Sequence, residues 1–218
     1  FSMNLPQHVE KSIDDALKIF EKLGIKIKEI ELPHLDLSLP IYYVIAPAEC
    51  SANLSRYDGV KFGYRCENPK DLEDLYMRTR EEGFGPEVKR RVLIGTYALS
   101  AGYYDAYYLK ALKCRRLVAG DFDKAFKSVD LILSPTAPDT SFALGEKNSD
   151  PVEMYKQDVF TIPANLAGLP GISIPCGEHK GLPLGLQLMA NSLEESKLLR
   201  MAHHYQLNTD WHKSWPSL

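Results

Sequence analysis

The sequence predicts an α/β fold, and three observations predict it. Long stretches carry apolar residues at the helical period. Short apolar runs bounded by Pro, Gly or Ser lie in the last third, and there the two kinds of segment alternate.

Taken in order, Val9, Ile13, Leu17, Phe20 and Leu23 fall on one face of a helix from Gln7 to Leu23, and Gly24 follows where a left-handed C-cap belongs. Ile25, Ile27, Ile30 and Leu32 then punctuate Lys and Glu up to Pro33, which predicts a half-exposed strand and an α-β unit. A run rich in Tyr, Ala and Leu from Pro40 to Arg56 predicts a more buried helix, ended by the Asp58-Gly59 turn. Asn68-Pro69 and Asp71 mark an N-cap region, with a helix to Glu82 stopped at Gly83. Pro86 suits the first turn of a fourth helix, striped by Val88, Val92, Gly95 and Leu99.

After Gly102 a long helix is predicted from Tyr103 to Phe126, with Tyr103 over Tyr107 and Tyr104 over Tyr108 at i and i+4. Those tyrosines, with Tyr42 or Tyr43, suit amphipathic core positions or the lining of a pocket or tunnel. Strands are predicted at Val129–Leu133, Gly171–Pro175 and Leu184–Met189, with a helix from Pro151 to Leu166 between the first two and another from Glu194 to Leu207 at the end. No repeat or linker interrupts the pattern, so the chain reads as one unit.

Composition narrows the function. Lys plus Arg number 26 against 29 Asp plus Glu, so no global basic field attracts nucleic acid or anionic lipid. No apolar run is long enough to span a bilayer and the start lacks a signal peptide's pattern, so a cytoplasmic, membrane-free protein is expected. Cys50, Cys66, Cys114 and Cys176 form no C-x-x-C pair, and the six histidines do not fall at ligand spacing, so no metal is expected in this chain. No Gly-rich phosphate loop or G-x-S-x-G elbow occurs. Cys176 has no His or acid linked to it in sequence, which argues against a cysteine nucleophile.

Two stretches are too particular for generic core, Arg90 to Tyr97 continued by Gly102 to Tyr108 and Asp158 to Gly171, and Ala52 to Gly59 and Thr209 to His212 accompany them. Together they resemble the A subunits of the glutamyl-tRNA(Gln)/aspartyl-tRNA(Asn) amidotransferases, a branch of the amidase-signature family. The resemblance covers the whole chain but corresponds only to the C-terminal half of such a subunit. It implies the C-terminal part of an α/β/α sandwich, with a mixed sheet flanked by helices. In that family a serine nucleophile, a second serine in a cis peptide and a lysine lie in the N-terminal half. This chain contains neither Gly-Gly nor Ser-Ser, so no catalytic residue is assigned to it and the chain alone is expected not to hydrolyse glutamine. It begins Phe1-Ser2, which suits an excised domain or proteolytic fragment with a short leader over residues 1–3.

The resemblance further implies that the half still holds glutamine. Its carboxylate needs a bidentate cation and its ammonium an anion. The implied groups are an Arg of the RR-x-x-x-G-T stretch and Asp158, before T-x-P-x-N, with Tyr42 lining the site. Relative to the Val88/Val92/Gly95/Leu99 stripe, Arg91 lies about 80° away and Arg90 about 180°, which favours Arg91. The plainer alternatives are an Arg91–Glu87 surface pair at i−4 and a solvated or helix-terminal Asp158. Asp158 lies in a mostly apolar segment, where an ionised carboxylate needs a partner. Ser173, Pro175 and Gly177, with the Leu169-Pro170-Gly171 turn, would shape the rim.

The implied partners are subunits B and C and, through them, aminoacyl-tRNA; ATP and Mg²⁺ act in the partner subunit. Two other readings stay open: another amidase-signature hydrolase of a small amide, or a non-catalytic assembly module. Half of a layered domain would expose apolar surface, so self-association at high concentration is expected.

Overall fold

A computed structural model describes residues 5–146 and 154–215, which divide into two compact units. One joins Phe1–Leu39 to Arg115–Leu218; the other is Pro40–Cys114. The sequence pattern, uninterrupted by any linker, predicts one unit and does not announce this division. The second unit is an uninterrupted run of helices and turns with no strand among its residues.

In the first unit, helix α1 (Gln7–Lys22) buries Val9, Ala16 and Phe20. Gly24 ends it at φ +80°, where its N–H reaches the Glu21 carbonyl while that of Ile25 reaches Phe20. The expected C-cap thus forms from nearest neighbours alone.

The sheet has the order β1-β3-β2, with β1 at Leu131–Pro135, β2 at Gly171–His179 and β3 at Leu182–Ala190. Every pairing among the described residues is antiparallel, whereas a mixed sheet was expected. β2 and β3 form a hairpin over Lys180-Gly181, and β1 runs antiparallel along the free edge of β3. The α/β class holds, with helices packed on this sheet. Helix α7 (Glu195–Leu207) joins α1 on one face. There Phe20, Leu198, Ala202 and Tyr205 meet Ile174, Cys176, Leu184, Leu186 and Leu188, whose alternation along β2 and β3 directs them inward.

Residues 25–32 form no strand. They pair with none of the three strands, and Ile27 is exposed. Alternating hydrophobicity marks a strand only when a neighbour takes its backbone groups. The turn after them is pinned instead: buried Asp121 accepts the backbone N–H of His34 at 2.8 Å and lies 3.0 Å from its Nδ1.

The helix expected over Pro151 to Leu166 is interrupted by a turn at residues 159–161. Residues 151–153 lie outside the described residues. Beyond them residues 154–155 are helical, and a 3₁₀ turn, Lys156–Asp158, and a short helix α6, Ile162–Ala167, follow. Pro163 occupies the first turn of α6 and Gly168 closes it at φ +71°.

In the second unit lie most of α2 (Ser38–Leu54), α3 (Leu72–Gly83) and α4 (Pro86–Ala98). Asp71 caps α3 by accepting from the Asp74 N–H. The helix expected from Tyr103 begins as a π-helix, Tyr104–Leu109, and continues as α5, Lys110–Ala125. The paired tyrosines do meet, with rings tilted against each other, Tyr103 and Tyr107 at 5.8 Å and Tyr104 and Tyr108 at 5.3 Å. They are not core, however: Tyr103, Tyr104 and Tyr107 pack on one another and stay exposed.

Candidate functional site

Arg91 and Tyr42 meet in the second unit because α2 and α4 cross at very short range. Gly95 is buried against the carbonyl of Pro47, so close that an added Cβ would collide with it and with Ser51. Pro47 is itself in the interior of α2, where it has no N–H to offer the preceding turn. Beside the crossing, Thr96 donates to the Val92 carbonyl and therefore accepts from the Ser51 hydroxyl, 2.8 Å away.

One turn before Gly95, the side chain of Arg91 is 28% exposed, against 48% for Arg90. Arg91 Nε donates to Glu87 Oε1 at 2.9 Å and Nη1 to the Tyr42 hydroxyl at 3.0 Å. The pairing with Glu87, the plainer alternative, is therefore real, and the bond to Tyr42 exists beside it. Partial burial opposes the Arg91 charge, but the bonds to Tyr42 and Glu87 outweigh it, so the guanidinium stays charged. Among the described residues its Nη2 amino group makes no hydrogen bond, which leaves donors for an incoming carboxylate. Tyr42 is half-buried and meets Tyr43 edge-on at 5.0 Å.

Asp158 belongs to the other unit, at the end of the 3₁₀ turn. Contrary to the expectation from its apolar neighbours, it is exposed, so burial does not force a partner on it. The turn directs Phe160 and Ile162 inward and leaves Asp158 outside. Its backbone is nevertheless fixed. Buried Gln187 on β3 donates to the Phe160 carbonyl at 2.8 Å and to Ser134 Oγ at 3.0 Å, and Thr161 N–H reaches the Asp158 carbonyl. The carboxylate makes no hydrogen bond or ion pair among the described residues.

Ser173 Oγ lies 2.7 Å from Thr136 Oγ1, and the β2 bulge falls between Pro175 and Gly177. Cys176 is buried, and burial pushes its thiol up to about 11, so it remains protonated at neutral pH. All four cysteines are unpaired, Cys66 and Cys176 buried and Cys50 and Cys114 half-buried. Two features carry no signal in the sequence. One is the bond from buried Gln187 to the Phe160 carbonyl, two residues after Asp158. The other is the stack of His8 on His179 at 3.8 Å beside Asp139. Gly95, central in its stripe, is the residue that could have announced the helix crossing.

Residues 1–199 match the model of the amidase family. The chain belongs to that family. It is 63% identical over all 218 residues to the A subunit of the glutamyl-tRNA(Gln) amidotransferase of Hahella chejuensis and 58% identical to that of Coxiella burnetii, and it spans 45% of each. The crystal structure of the corresponding Thermotoga maritima protein superposes at a TM-score of 0.71 with 40% identity, over 95% of this chain and 40% of that one. A 6-aminohexanoate cyclic dimer hydrolase, 19% identical over 99% of this chain and 44% of its own, shares the amidase fold at a TM-score of 0.76. No helix among the described residues is long and apolar enough to cross a membrane.

Proposed function

We propose that this chain is the C-terminal part of a glutamine-hydrolysing amidotransferase, within its A subunit. The observation that carries the reading is the 63% identity, held over all 218 residues, to the A subunit of a glutamyl-tRNA(Gln) amidotransferase. The intact subunit hydrolyses the glutamine side-chain amide through an acyl-enzyme, and its ammonia converts Glu-tRNA(Gln) to Gln-tRNA(Gln) or Asp-tRNA(Asn) to Asn-tRNA(Asn). Subunits B and C are the partners, in the cytoplasm, and the tRNA is met through them.

Within this chain Arg91 takes the carboxylate of glutamine, supported by Tyr42, which shares the guanidinium's hydrogen bonds. Asp158 is assigned to the ammonium because its carboxylate makes no hydrogen bond or ion pair among the described residues and its carbonyl accepts from Thr161. Among the described residues no group of three or more His, Cys, Asp or Glu side chains can hold a metal ion. ATP and Mg²⁺ would act in the partner subunit.

The test is to produce the intact protein with subunits B and C and to follow ammonia release from glutamine and formation of Gln-tRNA(Gln). Glutamine-dependent tRNA amidation supports the reading; hydrolysis of simple amides without use of glutamine overturns it. The isolated 218-residue stretch should release no ammonia, and turnover by it would overturn the assignment of the chemistry elsewhere.

A further inference from the structure

We propose that Glu87 is a positioning residue for Arg91 and not merely its partner in a surface pair. The inference rests on the reading of Arg91 as the group that binds the carboxylate of glutamine.

Glu87 sits in the first turn of α4, directly after Pro86. Its two carboxylate oxygens are divided between neighbours: Oε1 accepts from Arg91 Nε at 2.9 Å and Oε2 from Arg90 Nη1 at 2.6 Å. From the other side, the Tyr42 hydroxyl accepts from Arg91 Nη1 at 3.0 Å. A guanidinium is a rigid plane, so acceptors at Nε and Nη1 together fix both where it lies and how it is turned. With Tyr42 alone the plane could swing about a single bond. Tyr42 and Glu87 also approach from different helices, so Arg91 is held against motion of its own backbone as well as its side chain.

The donors that these two acceptors leave free matter equally. The Nη2 amino group makes no hydrogen bond among the described residues, and it adjoins the second N–H of Nη1. Neighbouring guanidinium nitrogens of this kind take a carboxylate through two parallel bonds. Glu87 meets Arg91 at Nε through Oε1, while its Oε2 faces Arg90 Nη1. Glu87 orients the fork without occupying it.

The experiment compares glutamine KM and kcat in the intact protein for Glu87→Ala, Glu87→Gln and Arg91→Lys, with the melting temperature of each. Glu87→Ala should raise KM about fivefold while kcat stays within about twofold, the loss expected from one charged hydrogen bond at a half-exposed site. Glu87→Gln keeps an oxygen facing Nε and should return KM to near its original value. An unmoved KM in Glu87→Ala, or a KM rise that only follows a fall in melting temperature, overturns the inference. So does failure of Gln to rescue. Arg91→Lys separates this from the reading beneath it: if its KM is unchanged, the role of Arg91 falls; if its KM rises while that of Glu87→Ala does not, only the role of Glu87 falls.

Discussion

Arg91 Nη1 donates to the Tyr42 hydroxyl at 3.0 Å, so a cation on α4 is held by a phenol on α2. Tyr42→Phe removes the acceptor and little else. In the intact protein it should raise glutamine KM by a factor corresponding to about 1 kcal/mol, and Arg91→Ala by about 2 to 4 kcal/mol, with smaller changes in kcat. Steady-state kinetics with glutamine check both. A normal KM in Arg91→Ala would remove Arg91 from the site.

The bond depends on the helix crossing beneath it. By intrinsic propensity, Gly95→Ala in the interior of α4 should gain about 1 kcal/mol. Here the new methyl meets the Pro47 carbonyl, which belongs to a helix backbone and cannot turn aside. We expect the collision to win, with a net loss of about 2 kcal/mol or more in denaturant unfolding and a rise in glutamine KM as Arg91 separates from Tyr42. A neutral or stabilised variant would show that the helices part at little cost.

Gly95 also shows what the sequence made legible. Its place in the Val88/Val92/Gly95/Leu99 stripe identifies a helix and its buried side, because that information repeats every turn. The α1 cap at Gly24 was legible for the same local reason. Which helix Gly95 would meet was not legible, since Pro47 lies 48 residues earlier. Residues 25–32 carried a strand's alternation without a strand's partner. Asp158 misled through its neighbours: Val159, Phe160 and Ile162 suggested burial, but Asp158 ends a 3₁₀ turn with its carboxylate outside, while distant Gln187 takes the Phe160 carbonyl inside.

Tyr205 is fully buried between α7 and the sheet, with its ring 5.2 Å from that of Phe20. Its hydroxyl finds no protein partner among the described residues. An unsatisfied buried hydroxyl costs about 1 to 3 kcal/mol, so removing it while keeping the ring should help. Tyr205→Phe is therefore expected to match or exceed the original melting temperature, whereas Tyr205→Ala should lose about 3 to 5 kcal/mol through its cavity. A clear loss in the Phe variant would mean that the hydroxyl is in fact satisfied.

Cys176 gives the pH dependence a definite sign. Burial raises its thiol pKa to about 11, while in the unfolded chain the thiol ionises near its ordinary value of about 8.5. Below that value both states hold the proton and the contribution to stability is complete. As pH climbs from about 8.5 towards 11 the unfolded state alone releases its proton, so stability falls through that window. Cys176→Ala should flatten this alkaline limb in unfolding measured from about pH 8 to 11, against a constant cost from the small cavity. In the native protein at about pH 8, alkylation of Cys176 should be far slower than after denaturation. Rapid native labelling of that thiol would contradict its burial beside Leu184, whose carbonyl accepts from Sγ at 3.6 Å.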